Sequence, residues 1–154
     1  MKKTLVAAGF AILAGGVVYS LSASGDPGLL PYRDEAAVAR GAALYAAYCA
    51  SCHGASLEGE PDWRERDAAG YLPAPPHDDS GHTWHHPDRL LFVITKEGTE
   101  AIVGGDYRSN MTGFGDMLDD EEILAVLAYI KSTWPPRIID IHNEINANAA
   151  ASGE

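Results

Sequence analysis

Cys49-Ala50-Ser51-Cys52-His53 is the stretch of this 154-residue chain that names a chemistry. The spacing C-x-x-C-H is that at which a c-type haem is attached. Two thiols three positions apart can each add to one vinyl group of the same porphyrin, giving two thioether bonds. The histidine directly after the second cysteine is then held beneath the iron as its proximal axial ligand. Other uses of the two thiols fit less well. They are the only cysteines in the chain, so a structural zinc site lacks its second pair of ligands. A thioredoxin-like C-x-x-C belongs in a βαβ pattern, whereas these flanks are alanine-rich and free of β-branched runs. A plain disulfide leaves His53 unexplained.

Upstream of the motif, Asp34 is placed to cap a helix, with Glu35 near its positive end. Val38, Gly41, Ala42, Tyr45 and Cys49 recur at helical spacing, and Gly54 is a breaker just past the motif. Downstream, Glu58 to Ser80 carries Pro61, Pro73, Pro75 and Pro76, which exclude a long helix. A large apolar ligand gives such a segment something to wrap. Pro87-Asp88-Arg89 opens a short helix to about Lys96, with Pro87 at its first position and Gly98 beyond its end. A glycine-rich loop from Gly104 to Gly115 precedes a capping-box start at Asp119-Asp120-Glu121-Glu122. Ile123, Leu124, Val126, Leu127 and Ile130 give the next helix its apolar face, and Trp134-Pro135-Pro136 stops it. A last amphipathic segment, Arg137 to about Asn148, aligns Ile138, Ile141 and Ile145 and lies across the domain.

The N-terminus reads as an export segment. Lys2 and Lys3 precede an uncharged run, Thr4 to Leu21, and the small residues Ser20 to Ser24 suit a signal peptidase. The run also just reaches the length needed to span a bilayer. Residues 1–24 are thus a signal peptide or an N-terminal membrane anchor, 25–33 a tether, 34–134 the folded domain, and 135–154 a C-terminal helical extension and tail. The net charge of −11 excludes a basic stripe for nucleic acid and suits docking on a basic patch of a protein partner.

With the haem motif after a first helix and Met111-Thr112-Gly113-Phe114 before a later one, the chain resembles a monohaem class I cytochrome c over roughly residues 34–134. Gly41, Tyr45, Tyr129 and Trp134 carry the resemblance further. Pro61-Asp62-Trp63-Arg64, Pro75-Pro76-His77-Asp78 and Gly81 to His86 are similar to a bacterial monohaem subgroup. The resemblance implies an all-α fold, three to five helices with long loops wrapped around one covalent haem c. It implies that the first and last helices of the domain cross closely at Gly41 and Tyr129. It also implies attachment on the periplasmic side of the bacterial inner membrane. A proline carbonyl, from Pro73 or Pro75, is expected behind His53 to orient its ring. The sixth ligand is expected at Met111, whose thioether raises the potential. Thr112 departs from the proline frequent at that position. Met117 is the competitor, and its expected role is core packing.

His77, His82, His85 and His86 form a second cluster. Copper or another transition metal is one use, replacement of methionine at the iron a second, and a structural role capping the helix at Pro87 a third. Trp63, Trp84 and Trp134 are expected as pocket and core aromatics. The functional reading is a non-enzymatic carrier of one electron on six-coordinate His53/Met111 haem. Its partners are redox proteins, either membrane respiratory complexes or a periplasmic oxidoreductase. Two alternatives stand beside it: a ligand-binding haem enzyme or sensor with a labile sixth ligand, and a metal-handling module built on His77 to His86.

The motif makes a direct prediction. Acid–acetone extraction of the denatured holoprotein is expected to leave the haem on the chain, and replacing Cys49 and Cys52 together by Ala to release it. Free haem extracted from the wild type would remove the basis of the reading.

Overall fold

The computed structural model describes residues 28–153. Among them there are six α-helices, one 3-10 turn and no strand: α1 Glu35–Tyr48, α2 Ala50–His53, the 3-10 turn Thr83–His85, α3 Asp88–Glu97, α4 Thr99–Val103, α5 Asp120–Ser132 and α6 Pro136–Ser152. The all-α expectation holds. The single-turn helices α2 and α4, which periodicity over longer windows does not reveal, are additions to it. The export segment lies outside the described residues. None of the described helices is long and apolar enough to cross a membrane.

Helix α1 starts where Asp34 Oδ1 accepts hydrogen bonds from the Ala36 and Ala37 amides at 2.9 and 3.3 Å. Its alanine-rich sequence turns Gly41 and Tyr45 inward, one helical turn apart. Helix α5 starts on the expected capping box: Asp119 Oδ1 accepts from the Glu122 amide, and Glu122 Oε2 accepts from the Asp119 amide. It is buried on several sides, at Ile123, Ala125, Val126, Leu127, Ala128, Ile130 and Lys131. That pattern belongs to a helix at the centre of a domain rather than on its surface.

The contact of α1 with α5 organises the core. Built onto Gly41, a Cβ would lie 1.9 Å from the Ala125 carbonyl oxygen and 3.0 Å from Tyr129 Cβ. Only glycine admits so close a backbone approach. Tyr45, one turn along, is 1 % exposed and tilts against Tyr129 with ring centroids 5.4 Å apart. Its hydroxyl donates to the Gly54 carbonyl at 2.9 Å, tying α1 to the end of the haem motif.

Both flanks of the domain join the core. Leu30 and Tyr32, in the segment read as tether, are buried in it. Helix α6 is longer than expected, with Pro136 in its first turn. It packs on the 3-10 turn, and its deepest positions are His142 and Asn146, not the half-buried isoleucines. Asp88 is the reason. Its buried carboxylate accepts from the Leu29 and Leu30 amides at 2.6 and 3.2 Å and lies 3.4 Å from His142 Nε2. Its own amide donates to Asn146 Oδ1 at 2.8 Å. Pro87, expected inside α3, instead caps it from just outside with an extended backbone.

Gly41→Ala places a methyl group against immovable backbone and is expected to destabilise the protein by about 1–3 kcal/mol. Thermal unfolding would show a Tm several degrees lower, while Ala43→Ser on the exposed face of α1 leaves it nearly unchanged.

Candidate functional site

The motif residues stand on the turn where α1 gives way to α2. Cys49 is the C-cap of the first helix and the N-cap of the second, and its amide donates to the Tyr45 carbonyl. Cys52 and His53 follow within the single turn of α2, which Gly54 closes at φ 82°. The thiols are not joined to each other; Cys49 is half-buried and Cys52 exposed. Burial, and then the neighbouring Cys52, push the Cys49 thiol up to about 11.

His53 is 7 % exposed, and its Nδ1 lies 2.8 Å from the Pro75 carbonyl oxygen. Of the two candidate prolines, the structure selects Pro75. A carbonyl can only accept, so Nδ1 carries the proton and Nε2 is the nitrogen with the lone pair. Burial lowers the imidazole's pKa, partly opposed by the Pro75 bond, which favours the neutral, ligating form. Two thiols one turn apart beside an oriented, neutral imidazole are a donor set that fits covalent haem with a proximal nitrogen ligand.

Pro75 reaches His53 because the proline-rich segment folds back on the motif. The Gly59 amide donates to the His53 carbonyl at 2.8 Å. Glu60 N to Ala74 O and His77 N to Leu57 O, both 2.8 Å, pair 57–60 with 74–77 in antiparallel sense. Leu57 is buried at the bend with φ 69°, a left-handed conformation that costs a non-glycine residue about 1–2 kcal/mol. No feature of the sequence marks Leu57 for this role.

Met111 is half-buried in the loop after α4, and that loop is fastened to the end of α3. The Phe114 and Gly115 amides donate at 3.0 Å to the Thr95 and Lys96 carbonyls, which helix geometry leaves without partners in the last turn. Gly113 makes the approach possible, since a Cβ there would lie 2.6 Å from the Lys96 carbonyl oxygen. Met117 corrects an expectation: it is 53 % exposed, not packed in the core. The Met117 and Leu118 amides both donate to the Phe114 carbonyl, and this turn sends Leu118 inward in its place.

The histidines have individual partners. His77 stacks on His53 with centroids 3.9 Å apart and bonds Thr83 Oγ1 at 2.8 Å. Its carbonyl accepts from the buried Trp134 indole at 2.8 Å. His82 stacks on Trp63, and His85 lies against Trp84. The His86 carbonyl accepts from His142 Nε2 at 2.9 Å. Among the described residues, no group of three or more histidines, cysteines or carboxylates is arranged to hold a metal ion. His142, Asp88 and Asn146 escape the sequence reading. The legible signal is a histidine and an asparagine four apart on the inward stripe of α6.

Burial first, then His86, His85 and Arg64, lower the pKa of His82; burial and then His85 lower that of His86. Around pH 6 the folded state therefore holds fewer protons than the unfolded chain. Stability from these groups is full above about 6.5 and is lost as pH falls below it. Replacing His82 and His86 by Gln is expected to flatten the fall of Tm between about pH 7 and 5, read by thermal unfolding across that range.

The sequence model of the cytochrome c family matches residues 38–134. Among curated proteins, the chain is similar to the cbb3-type cytochrome c oxidase subunit FixP of Sinorhizobium medicae (strain WSM419). The two are 27 % identical over 127 residues, covering 79 % of this chain and 40 % of that protein. The chain thus aligns with well under half the length of that relative. No solved structure matches it significantly.

Proposed function

The chain belongs to the cytochrome c family, with covalently bound haem c and haem-based electron transfer, and on that premise we propose that it is a periplasmic-side carrier of single electrons, closed at both axial positions of its iron. Haem supplies the one-electron ferric/ferrous couple. Cys49 and Cys52 hold it to the chain, and His53, oriented by Pro75, supplies the proximal nitrogen. Met111 supplies the sixth ligand. The observation that carries this choice is the contrast between the two methionines. Met111 is half-buried in a segment fastened to α3, whereas the Met117 side chain projects outward from a turn.

A ligand segment fastened next to its methionine, through the Phe114 and Gly115 amides, favours transfer of charge without rearrangement. It also leaves no coordination position for a substrate, and so supports a carrier rather than an enzyme. The likeness to an oxidase subunit supports a membrane respiratory complex as the electron partner. The strongly acidic chain suits docking on a basic face of that partner. The apolar run Thr4 to Leu21 supports export, with the domain outside the inner membrane.

Optical spectra of the holoprotein test the assignment. A ferric Met–iron bond gives a weak band near the red end of the visible spectrum. Met111→Ala is expected to erase that band, lower the midpoint potential and admit carbon monoxide to the reduced protein. Met117→Ala is expected to leave all three unchanged and to alter stability by no more than about 0.5 kcal/mol, as for other exposed positions. Ready carbon monoxide binding by the wild type, or a band that survives Met111→Ala, would overturn the assignment.

A further inference from the structure

The Met111 segment is fastened to α3 on its C-terminal side, through Phe114 and Gly115, and at the start of α4 the Thr99 amide donates to the Met111 carbonyl at 3.3 Å. On its N-terminal side it meets a different part of the chain, the proline-rich loop. Arg108 Nη2 donates to the Tyr71 hydroxyl, and the guanidinium carbon stands 4.6 Å from the centre of the Tyr71 ring. A second pair runs in the opposite sense: Arg66, from the proline-rich loop, stands 5.3 Å from the ring of Tyr107. Two arginines and two tyrosines thus interlock two irregular segments far apart in sequence.

Each end of this lock is itself held by hydrogen bonds. Tyr71 closes a tight turn in which Asp67 Oδ1 accepts from the Ala69 and Tyr71 amides, both at 2.9 Å. The Asp67 amide donates to the Tyr71 carbonyl, and Arg66 Nη1 donates to the Gly70 carbonyl at 2.6 Å. On the other side, Glu100 Oε1 accepts from the Ser109 amide at 2.8 Å. Ser109 Oγ then accepts from the Met111 amide at 3.1 Å. The route from Tyr71 to Met111 is therefore short: one guanidinium, one peptide link and one hydroxyl.

We propose that Arg108 and Tyr71 are positioning residues for the sixth ligand, holding the N-terminal side of the Met111 segment against the proline-rich loop. The inference rests on Met111 being that ligand. The physical reason is entropic. The side of the loop before Met111 must be ordered each time its side chain returns to the iron, and an attachment to the proline-rich loop, added to those on α4, removes part of that cost in advance. The lock sits at the surface, where a cation over an aromatic ring with a charged hydrogen bond remains favourable although salt bridges count for little.

The experiment uses ferric holoprotein and imidazole as a competing sixth ligand, titrated optically, together with the midpoint potential and Tm. Arg108→Gln and Tyr71→Leu are each expected to raise the apparent imidazole affinity by roughly 3–10-fold, with little change in Tm. Arg108→Lys, which keeps a cation and a donor, restores part of the wild-type value. The double variant Arg108→Gln/Tyr71→Leu is expected to match either single variant, because both remove one interaction. Arg137→Gln, an exposed arginine on α6, serves as the control and leaves the affinity unchanged.

Wild-type imidazole affinity in the variants, with the red band present in the wild type and lost in Met111→Ala, would overturn the positioning role and leave the ligand assignment standing. Fully additive effects in the double variant would overturn it as well. Absence of the red band from the wild type would instead sink the ligand assignment, and this inference with it.

Discussion

One hydrogen bond, from His53 Nδ1 to the Pro75 carbonyl, joins the haem-attachment motif to the proline-rich segment, which carries no helix among the described residues. It does two things at once. It sets the tautomer, so that the other ring nitrogen is the one available to a metal, and it fixes the direction of the ring. It also requires the chain to return from residue 75 to residue 53. Everything between them is shaped by that return: the left-handed bend at Leu57, the antiparallel pairing of 57–60 with 74–77, and the stacking of His77 on His53.

The helices serve this region by providing a floor that does not yield. Gly41 lets α1 and α5 approach to backbone contact, and Tyr45 then reaches from α1 to the Gly54 carbonyl at the end of the motif. Helix α3 contributes through its end. Its last carbonyls have no partners within the helix, and the Met111 segment supplies them with amides from Phe114 and Gly115. A structural need of the helix, satisfaction of its terminal acceptors, is in this way the same interaction that fastens the loop. The close approach through Gly113 belongs to that arrangement, because any side chain there would meet the Lys96 and Glu97 backbone.

The C-terminal helix is anchored by polar chemistry more than by apolar area. Asp88, His142 and Asn146 are all buried, and together they join the segment before α1, the start of α3 and the middle of α6. Lys131 adds a second buried link, donating to Asn143 on α6 at 2.7 Å and lying over the Tyr32 ring. Buried polar groups of this kind add stability only when paired, but they specify one docking geometry where an isoleucine face alone would tolerate several. The His86 carbonyl, held by His142, carries that specification to the histidine turn.

The close crossing at Gly41 was implied by the family resemblance, whereas by itself the sequence determined the covalent motif, the helical class and the caps of α1 and α5. Each of these is written in neighbouring residues or in a short period, so local physics suffices to read it. Only the tertiary structure decided between Pro73 and Pro75, turned Met117 outward, and brought Arg108 to Tyr71 and His142 to Asp88. Those choices depend on contacts between residues tens of positions apart, inside segments with no repeating pattern. Such pairings follow from where the packed helices leave the loops to run, and spacing along the chain does not encode that.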